Sequence, residues 1–464
     1  MSVTLDRPVR AAPPGRHAAV DSRIRYGSAA VVGAGLVLVT AQWLAGHGLQ
    51  DLGGWESGLT SLGRWTGLVA SFLLLVQVLL MARIPPVERA FGQDRLARVH
   101  RWVGFASFTL MLVHIGLVTW GYAAGSLAAV PGMFWELTVD YPGMLLALGG
   151  TLCLVLVVLT SARAARSRLR HESWHLLHLY AYLGVALALP HQLWTGTEFV
   201  SSRVATVLWW GLWGCAAGAV LVWRIGLPIV RSLRHDLRVA AVVPEDGDVV
   251  SVYLTGRRLD RFPATAGQFC TFRFLAGSGW SRAHPYSLSA APGAHGLRIT
   301  VKALGDGSAA VAALRPGTRV LVEGPYGRLT ARPRTRPRVA LIGAGVGITP
   351  LRALAEGLDY APGEAVVLQR TTGRPLFDAE FARLAEARGL RVLTLPGRRR
   401  APDSWIGEGA GPADDTSLLR HWVPDVADRD VYLCGPEAWT ASVVRSLHAA
   451  GVPDSRIHLE HFGW

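Results

Sequence analysis

The sequence predicts a bundle of six transmembrane helices, then an antiparallel β-barrel domain, then an α/β domain on a parallel sheet. Three observations carry this reading. Six apolar stretches, each near the ~20 residues a helix needs to cross about 30 Å of hydrocarbon, lie before about Ile225. Short β-branched runs such as DVVSVYL, QFCTFRF and LRITVKA, cut by Gly, Pro and Asp turns, fill 236–332, the habit of an antiparallel barrel. From 337 to 464, strand-like VALIGAG, AVVLQRT, RVLTLPG and DVYLCGP alternate with helical PLRALAEGL and DAEFARLAEARG, a nucleotide-binding α/β pattern.

Half of the 464 residues are hydrophobic and 17% are charged, which is apolar for a soluble protein. The stretches fall at roughly 27–46, 64–82, 102–122, 143–162, 176–194 and 204–223. Buried helices of a large soluble protein would share this hydropathy but not the arginine placement. Arg7, Arg10, Arg16, Arg23 and Arg25 precede the first span. Arg83, Arg89, Arg95, Arg98 and Arg101 join the second to the third, and Arg163, Arg166, Arg168 and Arg170 the fourth to the fifth. The other connections hold Asp51, Glu56, Glu136, Asp140 and Glu198, with only Arg203 near an end. This is the positive-inside pattern, with both termini cytoplasmic. The first span lies too far from the start, without a cleavage pattern, to be a signal peptide. Residues 1–25, rich in Pro and Arg, read as a disordered tail, and 26–230 as the membrane domain.

The net charge of +14 belongs largely to these flanking arginines, and no nucleic-acid module is present. Four cysteines, Cys153, Cys215, Cys270 and Cys434, form no CxxC, CxxCH or four-cysteine run, excluding zinc-ribbon, covalent-haem and iron–sulfur patterns.

Histidines inside the spans carry the first chemistry. His100 and His114 lie on the third span, His178 and His191 on the fifth. An imidazole at membrane depth is costly without a partner. Fourteen residues of helix rise about 21 Å and thirteen about 19.5 Å. On two parallel helices the four therefore meet in two layers, His100 with His178 near the cytoplasm and His114 with His191 near the outside. Two imidazoles on opposite helices suit the two axial positions of an electron-transferring haem iron. A thirteen-residue step lands near −140°, a fourteen-residue step near −40°; Pro190 before His191 is a device that can correct this. His175 is a rival inner ligand.

These spacings resemble the ferric reductase-like transmembrane domain shared by NADPH oxidases and ferric reductases. The resemblance implies two b-type haems on the third and fifth helices. It also matches Arg64, at the outer end of the second span, to a family arginine beside the outer haem. A snorkelling interfacial arginine is the alternative. Animal oxidases carry a further histidine where this chain has Val118, which puts oxygen as acceptor in question.

In the barrel, HPYSLS begins at His284. An aromatic beside a hydroxyl on a strand edge can lie against an isoalloxazine ring. The string resembles the flavin motif of the ferredoxin–NADP reductase superfamily in its His-Pro-aromatic form. This implies that Tyr286 and Ser287 contact FAD, with His284 and Pro285 completing the motif. ITVKALGDGS follows at the family distance, setting Lys302, the only lysine of the chain, with Gly307 and Ser308 near the FAD pyrophosphate. GAGVGITP contributes Gly343, Gly345, Gly347, Thr349 and Pro350, a turn on which a pyrophosphate can sit at a helix N-terminus. The strand AVVLQ ends in Arg370, with Arg374 following. Arginine there suits a 2′-phosphate, so NADPH is favoured and NADH stays open. YLCGP resembles the family's nicotinamide-side loop, implying a role for Cys434, Gly435 and Pro436. The ending EHFGW implies an aromatic over the flavin, Phe462 or Trp464, with Glu460 serving proton balance.

Together the resemblance implies electron flow from NADPH through FAD and two b-type haems to an extracytoplasmic acceptor, a ferric chelate or oxygen. A donor module for a separate redox protein and a membrane-anchored flavoreductase are the rivals. The arginine and alanine bias suggests a bacterial plasma membrane. The oligomeric state is not legible.

Overall fold

The computed structural model describes residues 16–166, 171–200, 203–277 and 279–461. The chain divides into two compact units, Ile24–Ile225, and Gly226–Trp464 with the first residues to Arg23.

The first unit is helical. Its long helices are α1 (Arg16–Ala45), α2 (Trp55–Met81), α3 (Gln93–Tyr122), α4 (Met144–Ser161), α5 (His171–Trp194) and α6 (Arg203–Ala219). Six candidate spans are long and apolar enough to cross a membrane, the last counted over Arg203–His235. Four of the helices, α1, α2, α3 and α5, start before the apolar stretches that announce them. The first starts at Arg16, so residues 16–25, expected as disordered tail, are helical; residues 1–15 lie outside the described residues. Likewise α3 starts at Gln93 and carries Arg95, Arg98 and Arg101 on its first turns. Hydropathy marks where a helix meets lipid, whereas its ends follow backbone hydrogen bonding, which charged first turns tolerate.

Large apolar side chains such as Trp102, Phe105, Leu152 and Val204 are exposed on these helices, as a lipid-facing surface requires. Between helices, small residues permit close approach. A Cβ on Gly150 would lie 2.7 Å from the Gly184 carbonyl oxygen, and one on Gly184 would lie 3.0 Å from that of Gly150. That contact seats α5 on α4. An apolar core of Val39, Trp43, Leu68, Phe72, Leu75 and Trp209 ties α1, α2 and α6 together.

The second unit opens with α7 (Leu227–His235) and holds two sheets. The first contains β1 (Leu237–Pro244), β2 (Val249–Thr255), β3 (Phe269–Phe274), β4 (His284–Ser287), β5 (Leu297–Lys302) and β6 (Arg319–Tyr326), in the order β4-β3-β6-β1-β2-β5. Its ladders are all antiparallel. The barrel is not closed by a ladder: its two edges meet through the single bridge Leu288–Ile299. Alternating side chains, among them Val239, Val252, Leu254, Phe272, Ile299 and Val322, fill its interior.

The second sheet comprises β7 (Val339–Ala344), β8 (Ala365–Thr371), β9 (Arg391–Pro396), β10 (Asp430–Gly435) and β11 (Ile457–His461). Its order is β11-β10-β7-β8-β9 and every ladder is parallel. Helices α8 (Ile348–Gly357), α9 (Asp378–Arg388), α10 (Asp415–Trp422) and α11 (Glu437–Ala449) complete it. Separate cores cover its two faces, one around Leu341, Leu351, Val367 and Phe381, the other around Ile342, Leu368, Trp405 and Val443. The central strand VALIGA is buried throughout, because both its faces are covered.

Candidate functional site

Helix α3 brings two histidines to α5. The rings of His100 and His178 face each other with centroids 6.1 Å apart and planes 62° apart. His114 lies within electrostatic reach of His191. The rival inner residue His175 is exposed. Two imidazoles bound to one metal at about 2 Å each would have centroids about 6 Å apart, so the His100–His178 pair fits a single iron. No group of three or more metal-ligating side chains occurs among the described residues. A pair suits a macrocycle that brings the other four ligands itself, as a haem does.

The α3 histidines are oriented by α2. Nδ1 of His114 lies 2.8 Å from the Gly63 carbonyl oxygen, and Nδ1 of His100 lies 3.3 Å from that of Gln77. A carbonyl only accepts, so each Nδ1 carries the proton and each Nε2 is left with its lone pair for a metal. On α5, Nδ1 of His178 meets Ser161 Oγ at 3.3 Å, with Trp174 tilted over the ring at 5.0 Å. Nδ1 of His191 is buried without a well-formed partner and leans towards the Ala188 carbonyl of its own helix.

Arg64 is held by two carboxylates, Asp51 at 2.5 Å and Glu198 at 3.3 Å. Glu198 is buried and within electrostatic reach of His114. Both acids stand in the sequence only as outer-loop charges; nothing in their spacing announces that they converge on Arg64.

In the sheet unit, His284, Pro285, Tyr286 and Ser287 form the whole of edge strand β4. The rings of His284 and Tyr286, alternate residues on one face, are nearly parallel with centroids 5.9 Å apart. Burial pushes the Tyr286 hydroxyl up to about 12, so it stays a neutral donor. A Cβ on Gly307 would lie 2.5 Å from Cε1 of His284, so the glycine lets the GDGS turn close on the strand. Ser308 Oγ accepts from the N–H groups of Leu304 and Gly305 at 2.8 and 3.0 Å; its hydroxyl shapes that turn. Lys302 ends β5 and stands 3.9 Å from Asp248, both well exposed, a pair of little energetic weight.

The GAGVGITP loop joins β7 to α8. Gly345 has φ +55°, in the left-handed region, with open space where a Cβ would lie. A Cβ on Gly347 would lie 2.4 Å from the Cys434 carbonyl oxygen, so only glycine lets this loop approach β10. Gly343 pairs with Cys434 across the sheet. Thr349 is buried and donates to the Val346 carbonyl at 2.8 Å, with buried Pro350 beside it in the first turn of α8. An open, positive-φ glycine ahead of a helix of ten residues fits a pyrophosphate.

Cys434 is fully buried at the end of β10 and pairs with Glu460 of β11. Burial first, then the Glu460 carboxylate, pushes its thiol well above the usual range. The Glu460 carboxylate also reaches the other sheet, since a Cβ on Gly327 would lie 2.7 Å from it. Gly435 packs on Trp439, and Pro436 precedes α11. Phe462 and Trp464 lie outside the described residues.

At the end of β8, Arg370 is buried and donates to the Gly397 carbonyl at 3.0 Å, while its Nε has no partner. Burial, then the neighbouring Arg399, holds its guanidinium below the usual range. Arg374 is exposed. Two close guanidiniums, one with an unmet donor, fit an anion. The sequence reading missed Arg399; its signal is the RRR run directly after β9. It also missed the ion-pair network between the sheets. Arg298 of β5 donates hydrogen bonds to Glu380 of α9, at 2.7 Å the closer, and Arg352 of α8 forms an ion pair with Glu380 at 2.6 Å and another with Glu356.

Residues 66–189 match the model of the ferric reductase like transmembrane component, a stretch that contains His100, His114 and His178. Among curated relatives, the chain is similar to the glycine betaine monooxygenase reductase subunit of Chromohalobacter salexigens, 28% identical over half of this chain and 64% of that protein. It is also similar to the flavohemoprotein of Xylella fastidiosa, 30% identical over 47% of this chain and 53% of that one. A solved structure of the FAD/NAD-binding domain of nitric oxide dioxygenase from Vibrio cholerae is 27% identical, covering 50% of this chain and all of that one, with a TM-score of 0.41. The chain spans about half to two thirds of the length of these curated relatives. The chain thus carries, in its helical unit, a match to the ferric reductase like transmembrane component, and over about half of its length a similarity to curated reductase and flavohemoprotein sequences.

Proposed function

We propose that this protein is a multi-pass membrane oxidoreductase taking electrons from NADPH, through FAD and two b-type haems, to an acceptor on the opposite face. The observation that carries it is the pair His100 and His178 at 6.1 Å, with His114 and His191 within electrostatic reach of each other on the same two helices, in a chain about half of which is similar to a monooxygenase reductase subunit. In this reading 26–230 is the haem-bearing domain, 236–332 the FAD domain and 337–464 the NADP domain. FAD and haem, when bound, supply the hydride and single-electron chemistry, and the protein supplies position and tuning.

Each residue then has a task. Nε2 of His100 and His178 holds the inner haem, and that of His114 and His191 the outer. Tyr286 and Ser287 hold the flavin ring on β4, with Lys302 and the Gly307–Ser308 turn towards its phosphates. The Gly345–Gly347 loop holds the NADPH pyrophosphate, and Arg370, Arg374 and Arg399 its 2′-phosphate. Cys434 stays a thiol on the nicotinamide side, and Glu460, paired with it across the sheet, serves proton balance there. The arginine asymmetry of the loops supports cytoplasmic termini, and the arginine and alanine bias supports a bacterial plasma membrane. Val118 favours a ferric chelate over oxygen as acceptor.

Detergent-purified protein is expected to show a b-type spectrum with two haems per chain, and His100→Ala with His191→Ala to lose both. Full haem content in that double variant overturns the ligand assignment. Wild-type protein carrying FAD and no haem would leave a membrane-anchored flavoreductase.

A further inference from the structure

We propose that one backbone carbonyl, that of Gly63, tunes the outer haem, and that the Thr66 hydroxyl competes with His114 for it. The inference rests on the haem assignment above. Nδ1 of His114 donates to the Gly63 oxygen at 2.8 Å, and Thr66 Oγ1 donates to the same oxygen at 2.9 Å. Thr66 is buried, so its hydroxyl has no water to turn to. A carbonyl oxygen has two lone pairs, and a donor added at one site weakens its hold on the other.

Gly67, one turn along α2, makes the contact possible. A Cβ there would lie 2.6 Å from Nδ1 of His114 and 2.9 Å from Cε1. The ring lies where only a glycine leaves room. The inner layer is built differently. His100 is 3.3 Å from the Gln77 carbonyl, and the hydroxyl nearby, that of Ser107, bonds the Gln77 side chain at 3.2 Å instead. Thus the competition for the histidine's acceptor is confined to the outer layer.

The strength of an Nδ1–H hydrogen bond sets the basicity of the opposite ring nitrogen, and a more basic axial imidazole stabilises ferric iron. Thr66 is therefore a positioning residue that holds the potential of the outer haem up. Removing its hydroxyl leaves the carbonyl to His114 and the helix N–H of Gly67 alone, and lowers that potential. Pushing the ring off the carbonyl does the reverse.

The test is a spectroelectrochemical titration of the full-length holoprotein, in wild type, Thr66→Val and Gly67→Ala. The outer haem is identified as the one lost in His114→Ala. Thr66→Val, nearly isosteric, is expected to keep two haems and shift only the outer midpoint potential to a more negative value. Gly67→Ala is expected to shift the outer potential positive or to lose that haem alone. Gly104→Ala, whose Cβ would meet the flexible amide end of Gln77, is the control and is expected to leave both potentials in place. Two haems with unmoved potentials in Thr66→Val, or equal shifts of both, overturn the inference and leave the haem assignment standing. A wild-type protein without haem overturns that assignment and the inference with it.

Discussion

At the scale of the residue, the proposed preference for NADPH rests on two guanidiniums, Arg370 near the end of β8 and Arg399 shortly after β9. Arg370 is buried beside Arg399, with its Nε unmet and a backbone carbonyl, that of Gly397, accepting from its guanidinium. Holding two like charges together is costly unless an anion joins them. Arg370→Ala is expected to raise the KM for NADPH about tenfold or more, the scale of the ~1.5–3 kcal/mol in a charge-assisted hydrogen bond. The KM for NADH should move far less, because it lacks the 2′-phosphate, and Arg399→Ala should act in the same direction. Parallel steady-state kinetics with the two coenzymes check this. Equal effects on both would reduce the pair to structural cations. Arg370 was legible because it ends a strand after a glycine-rich loop. Arg399 was not, because its approach depends on how β9 lies beside β8, a register that no single strand encodes.

Between elements, two contacts decide whether the sites hold their shape. The histidines of α5 depend on its seat against α4, where Gly150 and Gly184 bring the backbones together. Gly184→Val forces the helices apart, an overpacking of about 1–3 kcal/mol. It is expected to lower haem retention while FAD content stays unchanged, which absorbance ratios of the purified variant will show. The four histidines were legible because polar rings in apolar spans are costly without a partner. The carbonyls that orient two of them were not, since any residue can offer a backbone oxygen. Helix ends were misread for a related reason: the apolar stretch reports the lipid boundary, and α3 runs back through its arginines to Gln93. The other contact is the Arg298–Glu380–Arg352 network, which ties β5 of the first sheet to α8 and α9 of the second. Burial opposes ionisation of Glu380, but the hydrogen bond from Arg298 and the charges of Arg352 and Arg298 prevail and hold its pKa below the ordinary value. Its stabilisation is thus complete above the unfolded pKa near 4.3 and is lost as pH falls through the lower folded one. Glu380→Gln leaves two buried guanidiniums short of a partner, at about 3–5 kcal/mol. Flavin release on heating should occur earlier in the variant at neutral pH, with the gap to wild type closing under acid. A gap independent of pH would mean that the network adds no charge-dependent stability.

For the whole molecule, the two-layer histidine arrangement makes a claim that no single site can test, namely that the two substrates never meet. The α3 histidines are fourteen residues apart and so about 21 Å apart along the helix, which is most of the way across about 30 Å of hydrocarbon. The arginine-rich connections lie on the His100 side of this path and the acidic ones on the His114 side. In sealed vesicles, NADPH given to the face carrying the sheet unit is therefore expected to reduce an impermeant acceptor enclosed on the other face. His114→Ala should stop that transfer while leaving NADPH-driven reduction of the inner haem intact, so that half of the haem absorbance still responds. Arg64→Ala should slow only the last step. It would also leave Asp51 and Glu198 without the cation between them, so the slowing should be greater for an anionic ferric chelate than for a cationic complex, and comparing the two acceptors separates lost charge from lost structure. Reduction confined to the NADPH side and unchanged in His114→Ala would leave a reductase that is anchored in the membrane but does not conduct through it.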